Sequence, residues 1–353
     1  MRLLKQIPNL RNIFSVKRRF SRPGLLFFLP ALLILLSDPS NPRADATHQR
    51  GPSFSDPNQT VSMPLAWKKQ RVKYKPSHRD ADLVVSLGQQ TYPMFQGAVR
   101  FFAWNRSLKI VIESGSCGSS AGKLKRKQIH IGAFCCPPGE TDRLPGLLFH
   151  TLGIAPIAIL VNKKNPLVDI TTLEARRLFR GKYNRWSELS DPASRIFTRR
   201  IQLTTRLHCK IRPGHWRLLL KHSDLFSPHI REVGVIPDMI TRVANSPGAA
   251  GYETPYMVEH YDVRQKVKIL RINGKSPNDD KALMEGRYPM YRAYSLTTWE
   301  GNSPRRKLAR ELVRFLAQYA EAERARFRIV PAARLREAGW KFKGEELIAS
   351  PRK

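Results

Sequence analysis

The stretch ESGSCGSSAGKL (113–124) places glycines and serines directly after the apolar run Leu108–Ile112. Main-chain N–H groups at such a turn, and at the start of a helix behind it, present donors and partial positive charge to an oxyanion. Glycine lets the backbone approach closely, and the hydroxyls of Ser119 and Ser120 add donors that rotate to suit. The same residues would also serve as a solvated turn. Four cysteines, Cys117, Cys135, Cys136 and Cys209, admit disulfides in three pairings. A Cys/His metal site using Cys135, Cys209, His208 or His215 is the rival, but adjacent cysteines without a C-x-x-C partner are poor zinc spacing. Neither a metal nor a cofactor is expected. The nine histidines are scattered, and no nucleophile elbow, H-E-x-x-H or P-loop pattern occurs. Asp224, Asp238 and Glu253 have no partner in the sequence and read as solvated loop or cap residues. No enzymatic activity is expected.

These groups need a frame. Apolar runs at Leu83–Leu87, Leu108–Ile112, Ile129–Phe134 and Ile154–Val161 alternate with polar turns and helical patterns, which predicts an α/β protein with buried strands. GSSAG is expected at the start of a short helix. Thr171 stands three residues before Glu174, a capping-box spacing, and Gly181 falls at the matching C-cap. Ser303-Pro304 opens another helix, whose buried stripe would be Leu308, Leu312, Phe315, Leu316 and Tyr319. The apolar stretch 144–161 is broken by Pro145, His150 and Pro156 and reads as buried strand rather than a membrane span.

The 353 residues carry 62 Lys+Arg against 28 Asp+Glu, a formal net charge of +34. That excess favours anionic partners through long-range steering. Because it is spread along the chain with no recognisable reading module, no specific nucleic-acid partner is expected. A basic leader, the apolar run Gly24–Leu36 and the A-x-A pattern at Ala44–Ala46 read as a signal peptide over 1–46, with an uncleaved membrane anchor as the rival. The expected location is the periplasm. Residues 47–79 are basic, punctuated by Pro52, Pro57, Pro64 and Pro76, and read as a flexible linker in which Trp67, Val72 and Tyr74 are the apolar anchors.

The order of segments from about 82 to 330 resembles the phosphate-type periplasmic substrate-binding proteins, the soluble receptors of ABC importers. SLGQQTYP (86–93) is similar to that family's first strand and anion loop, GSSAG (118–122) to its second loop, and IHIGAFCCPP (129–138) to its third strand. IAILVNKKNPLVDITTLEARRLFRGKYNRWSEL (157–189) resembles the crossing strand and the helix after it. NSPGAAGYETPY (245–256) resembles the return crossing, and INGKSP with EGRYPMYRAY (272–294) the late strand with its Tyr-Pro-x-x-Arg turn.

The resemblance implies a two-lobed α/β fold of type II. Lobe one would be 80–157 plus 252–345, lobe two 158–251, joined by two crossing segments with ligand held between them. It implies capture of phosphate or another small oxyanion for a membrane ABC permease, by a monomer. Its ligand positions carry over to Thr91, Tyr92, Gly118, Ser119, Ser120, Cys135 and Arg206. Two departures stand out. Cys135 occupies the place of the family's aspartate, and RLHCKIRPGHW (206–216) replaces its Gly-Ser-Gly-Thr loop. These departures leave room for an exported receptor-fold protein with a signalling or surface role that binds polyanions instead.

Overall fold

The computed structural model describes residues 51–208 and 212–351; the expected signal peptide and Cys209 lie outside the described residues. After a short helix α1 (Leu65–Lys69), strand β1 (Leu83–Gly88) leads through α2 (Tyr92–Asn105) to β2 (Ile110–Gly115), and α3 (Cys117–Lys125) leads on to β3 (Ile131–Phe134). A long strand β4 (Leu147–Pro156) passes through Ile157 into β5 (Ala158–Asn162). Next come β6 (Asp169–Ile170), α4 (Thr172–Phe179), β7 (Gln202–Thr205), β8 (Arg231–Glu232), α5 (Ile236–Asn245) and β9 (Ala249–Glu253). The chain continues through α6 (Pro255–Tyr261), β10 (Val267–Ile269), β11 (Arg271–Ile272), α7 (Asp280–Met284) and β12 (Tyr291–Trp299). It closes with α8 (Pro304–Ala322), α9 (Arg324–Phe327), β13 (Val330–Pro331), α10 (Ala332–Glu337), β14 (Lys341–Lys343) and β15 (Glu346–Ala349).

Two sheets organise these elements. One has the order β13-β4-β12-β3-β1-β2 and the other β10-β5-β9-β7-β8. β1 is buried along its whole length, as a parallel strand covered on both faces should be. Phe95 and Val99 of α2, Leu312 and Leu316 of α8, and Phe327 pack over the first sheet. Phe179, Trp186, Met239 and Tyr252 fill the core around the second. The stretch 144–161 is divided between β4 and β5, and no helix of the described residues is long and apolar enough to cross a membrane.

Strand direction decides which ends meet. β1 is parallel to β2 and β3, while β12 runs antiparallel to both β3 and β4. The C-terminal ends of β1–β4 therefore share one edge with the N-terminal end of β12. In the second sheet β7 and β9 are parallel and β5 is antiparallel to β9, so Thr205, Glu253 and Ala158 lie at one edge. Ile157, the residue between β4 and β5, joins these two edges. Ligands of open α/β sheets collect at such carboxyl ends.

Helix starts follow local chemistry. Ser116 caps α3, accepting from the Ser119 amide while the Ser119 hydroxyl accepts from the Ser116 amide. Thr171 and Glu174 form the same reciprocal box on α4, and Gly181 takes a φ of 76° after it. α8 begins with Pro304 behind Ser303, though the serine hydroxyl makes no capping bond.

The segment expected as a flexible linker lies against the sheets from Gly51 onward. The Gly51 amide donates to the Pro289 carbonyl (2.9 Å), and the Trp67 indole donates to the Lys125 carbonyl (2.7 Å). The Lys127 ammonium stands 4.1 Å from the Trp67 ring centre, and Tyr74 is buried with its hydroxyl on His130. Arg143 reaches back to Ser55, donating from Nε to its hydroxyl (2.9 Å) and from Nη2 to its carbonyl (3.1 Å). The same guanidinium pairs with Glu346 at 2.7 Å.

Candidate functional site

A buried polar cluster lies where the two sheet edges meet. Arg206 follows β7 directly and is 2% exposed. Its Nη1 donates to Glu253 Oε2 (2.9 Å) and its Nη2 to Gln89 Oε1 (3.0 Å), the latter in the turn after β1. The Tyr252 hydroxyl holds the backbone of Arg206 in place, donating to its carbonyl and accepting from its amide, both at 3.1 Å. Gln90, the next residue of the β1 turn, donates to Glu253 Oε1 (2.7 Å) and accepts from the Tyr294 hydroxyl (3.1 Å). One carboxylate thus ties β7, β9, β12 and the β1 turn together.

Glu253 is wholly buried, against the sequence expectation of a solvated cap residue. It is there because β9 pairs with β7 in the register that sets Glu253 beside Arg206. Asp224 and Asp238 do lie exposed in first turns of helical segments. On the other side of Glu253 stands Arg292, the second residue of β12, with no exposed surface and its Nη2 3.4 Å from Glu253 Oε1. Burial opposes the charge of Arg292, yet Glu253, then Tyr294, Cys135 and Cys136 more than offset that and hold it protonated. Sequence reading met Arg292 as the arginine of the Tyr-Pro-x-x-Arg turn but did not name it as a site residue.

The predicted ligand residues fall around this cluster unevenly. Thr91 is buried, with its hydroxyl accepting from the Gly88 amide (2.9 Å) and donating to the Gly88 carbonyl (3.3 Å), so it braces the turn that presents Gln89 and Gln90. Tyr92 begins α2 and packs half-buried on the first core. Gly118 is exposed in the first turn of α3. The Ser119 hydroxyl is used in the Ser116 box, and that of Ser120 donates to Ser86 Oγ (3.0 Å). Cys135 follows β3; its amide donates to Cys117 Sγ (3.1 Å), which binds α3 to the end of β3. Arg206 is the predicted residue that enters the cluster itself, and Cys135 feels the charges of Arg292 and Arg206 from the end of β3.

The Cys117 and Cys135 sulfurs lie 2.9 Å apart. This is a contact longer than the ~2.05 Å of a disulfide, so the expected bridge is not formed among the described residues. Contact with Cys117, then Cys136, outweighs the burial of Cys135, and with help from Arg292 and Arg206 holds its thiol well below the ordinary range. His208 accepts from Arg206 Nη2 (3.1 Å), and burial followed by Arg206 lowers its basicity. His215 is held well below its usual value by burial, then by Arg206 and Arg292. Both histidines are therefore neutral near pH 7. The segment that carries them docks through Arg212, which is buried and bonds Asp142 twice (2.8 and 2.6 Å), and is closed on itself by the Trp216 indole donating to the His208 carbonyl (2.9 Å). Among the described residues no group of three or more His, Cys, Asp and Glu is arranged to hold a metal.

No family model matches the chain. The phosphate-binding protein PstS of Bacillus subtilis is 24% identical over 242 residues, which cover 66% of this chain and 74% of that protein. The crystal structure of an ABC-type phosphate transport receptor from Vibrio cholerae superposes with a TM-score of 0.57 at 15% identity, covering 70% of this chain and 99% of the receptor. A Clostridium perfringens structure with bound phosphate, described as that of a phosphate ABC transporter substrate-binding protein, gives a TM-score of 0.59 at 14% identity, with 70% and 98% covered. The chain resembles the phosphate-type periplasmic substrate-binding proteins and has their type II fold.

Proposed function

We propose that this chain, a relative of phosphate receptors in sequence and fold, is an exported solute-binding protein that captures phosphate or a related oxyanion for the permease of an ABC importer. The carrying observation is the meeting of Arg206, from the end of β7, with Gln89 and Gln90, from the β1 turn, around the buried Glu253 carboxylate of β9. A guanidinium already oriented by Glu253, Gln89 and Tyr252 loses little freedom when it grips an anion, which is the advantage of a preorganised site. In this reading residues 80–157 with 252–345 form one lobe and 158–251 the other. The links at Ile157 and Thr254 flex as the lobes close on the ligand. Nothing in the arrangement calls for chemistry on the ligand; it holds and releases.

Titration calorimetry of the chain with phosphate, arsenate, sulfate and molybdate tests this. Stoichiometric binding of at least one of them, abolished by Arg206→Ala, supports capture. A second reading rests on the altered stretch 206–216 and the +34 charge: a receptor-fold protein that binds polyanions at a surface. It requires affinity for heparin-like polymers that falls steeply with salt and no response to the small anions.

A further inference from the structure

Arg292 is the most isolated cation of the interior. A guanidinium carries five N–H donors in a planar fork, and in Arg292 neither Nε, Nη1 nor Nη2 has a hydrogen-bond acceptor among the described residues. Its contact to Glu253, at 3.4 Å, is an ion pair without a hydrogen bond. Arg206 Nε is buried and unpartnered in the same way. Such donors are expensive to bury unmet, and native interiors meet nearly all of them. Glu253 does not meet them: its oxygens accept from Arg206, Gln90 and the Thr254 amide, and its approach to Arg292 makes no hydrogen bond.

Placement adds to this. Arg292 is the second residue of the strand whose N-terminal end shares an edge with the carboxyl ends of β1, β2 and β3. The two guanidiniums flank opposite oxygens of one carboxylate, and both act on Cys135 and on His215. They therefore stand on either side of Glu253. Two guanidiniums against one carboxylate leave one positive charge over while Cys135 holds its proton, and a Cys135 thiolate would cancel it. The N-termini of α2 and α3, each worth roughly half a charge, stand behind the β1 turn and Cys135.

From this we infer that Arg292 is a second guanidinium ligand, paired with Arg206, and that the site takes a tetrahedral oxyanion carrying two negative charges. Glu253 is then a positioning residue that spaces the two forks without touching the ligand. The inference rests on the oxyanion-capture reading and adds to it a residue and a charge class.

The test is titration of the whole chain with sulfate and with perchlorate, which has the same shape and half the charge. Sulfate binds at least about tenfold more tightly than perchlorate. Arg292→Gln weakens sulfate about 10- to 100-fold, the range for hydrogen bonds to charged groups. Arg292→Lys keeps the charge but not the fork and falls between Gln and the parent chain. Combining Arg206→Gln with Arg292→Gln costs less than the product of the two single effects, because both forks hold one ion. Circular dichroism melts establish that each variant is folded. If Arg292→Gln does not fold, the lysine variant and the sulfate-to-perchlorate ratio of the parent chain decide. Folded Arg292 variants that bind sulfate within twofold of the parent, or equal affinity for sulfate and perchlorate, overturn the inference and leave oxyanion capture standing. A parent chain that binds no small oxyanion overturns both.

Discussion

Glu253→Gln is the substitution whose consequence is best defined. Glu253 accepts from Arg206 Nη1 (2.9 Å), Gln90 Nε2 (2.7 Å) and the Thr254 amide (2.8 Å), and neutralises Arg292 at 3.4 Å. Glutamine keeps the size and one acceptor oxygen, so the Gln90 and Thr254 bonds can persist. An amide group then faces the Arg206 donor, and two buried guanidiniums lose their counter-charge. Removing one partner of a buried ion pair costs about 3–5 kcal/mol, a large share of a total stability of about 5–15 kcal/mol. At about 2–4 °C per kcal/mol for a domain of this size, the melting temperature falls by roughly 6–20 °C. Thermal melts in sodium chloride measure that loss. Repeating them in sodium sulfate adds the sharper reading: an anion seated between Arg206 and Arg292 replaces the missing charge, so sulfate raises the melting temperature of the variant more than that of the parent. A loss under about 1 kcal/mol, or an equal rise in both proteins, would refute the idea that Glu253 is what reconciles these cations to burial.

Other outcomes follow from single residues. Cys135 should react with iodoacetamide with a pH midpoint below the ~8.5 of a free thiol, and because its value is lowered on folding, the stability it contributes is present above the unfolded value and disappears as pH falls through the folded one. Cys135→Ser flattens that part of the stability profile. Burial, aided by Arg305 and Arg306, lowers His130 from 6.5 to about 4. It therefore stays neutral when folded, and stability drops as pH falls from 6.5 toward 4, by up to about 3 kcal/mol at ~1.4 kcal/mol per pH unit, a loss that His130→Gln should lessen in acid unfolding. Gly153→Ala would set a Cβ 2.4 Å from the Val330 carbonyl oxygen across the β4–β13 pair, and chemical denaturation should show a loss of about 1–3 kcal/mol. Ser116→Ala removes the cap of α3, with an expected cost of about 1 kcal/mol in the same assay.

Local chemistry was legible in the sequence where the structure obeys local chemistry. The starts of α4 and α8 follow from Thr171 and Ser303-Pro304, because a cap or an N1 proline acts within four residues; α3 was expected at GSSAG, and its Ser116 cap was not read. The buried strands followed from short apolar runs. What escaped was pairing at a distance. Glu253 stands 47 residues from Arg206, and only the β7–β9 register brings them together. Arg292 joins them from another sheet, and no pattern near it announces a partner. The hydroxyls of Ser119, Ser120 and Thr91 looked available in the sequence; in the fold each is already engaged within its own neighbourhood.

Arg143 has a consequence for how the molecule is completed. Its guanidinium is gripped by Ser55 from one extremity of the described chain and by Glu346 from the other. A nascent polypeptide emerging amino end first carries Ser55 long before Glu346 exists, so this clasp fastens only once Glu346 has been made. A product that stops short at the carboxyl end would leave a cation enclosed beside a half-built cradle, and quality-control proteases would find in that defect a ready mark of incompleteness.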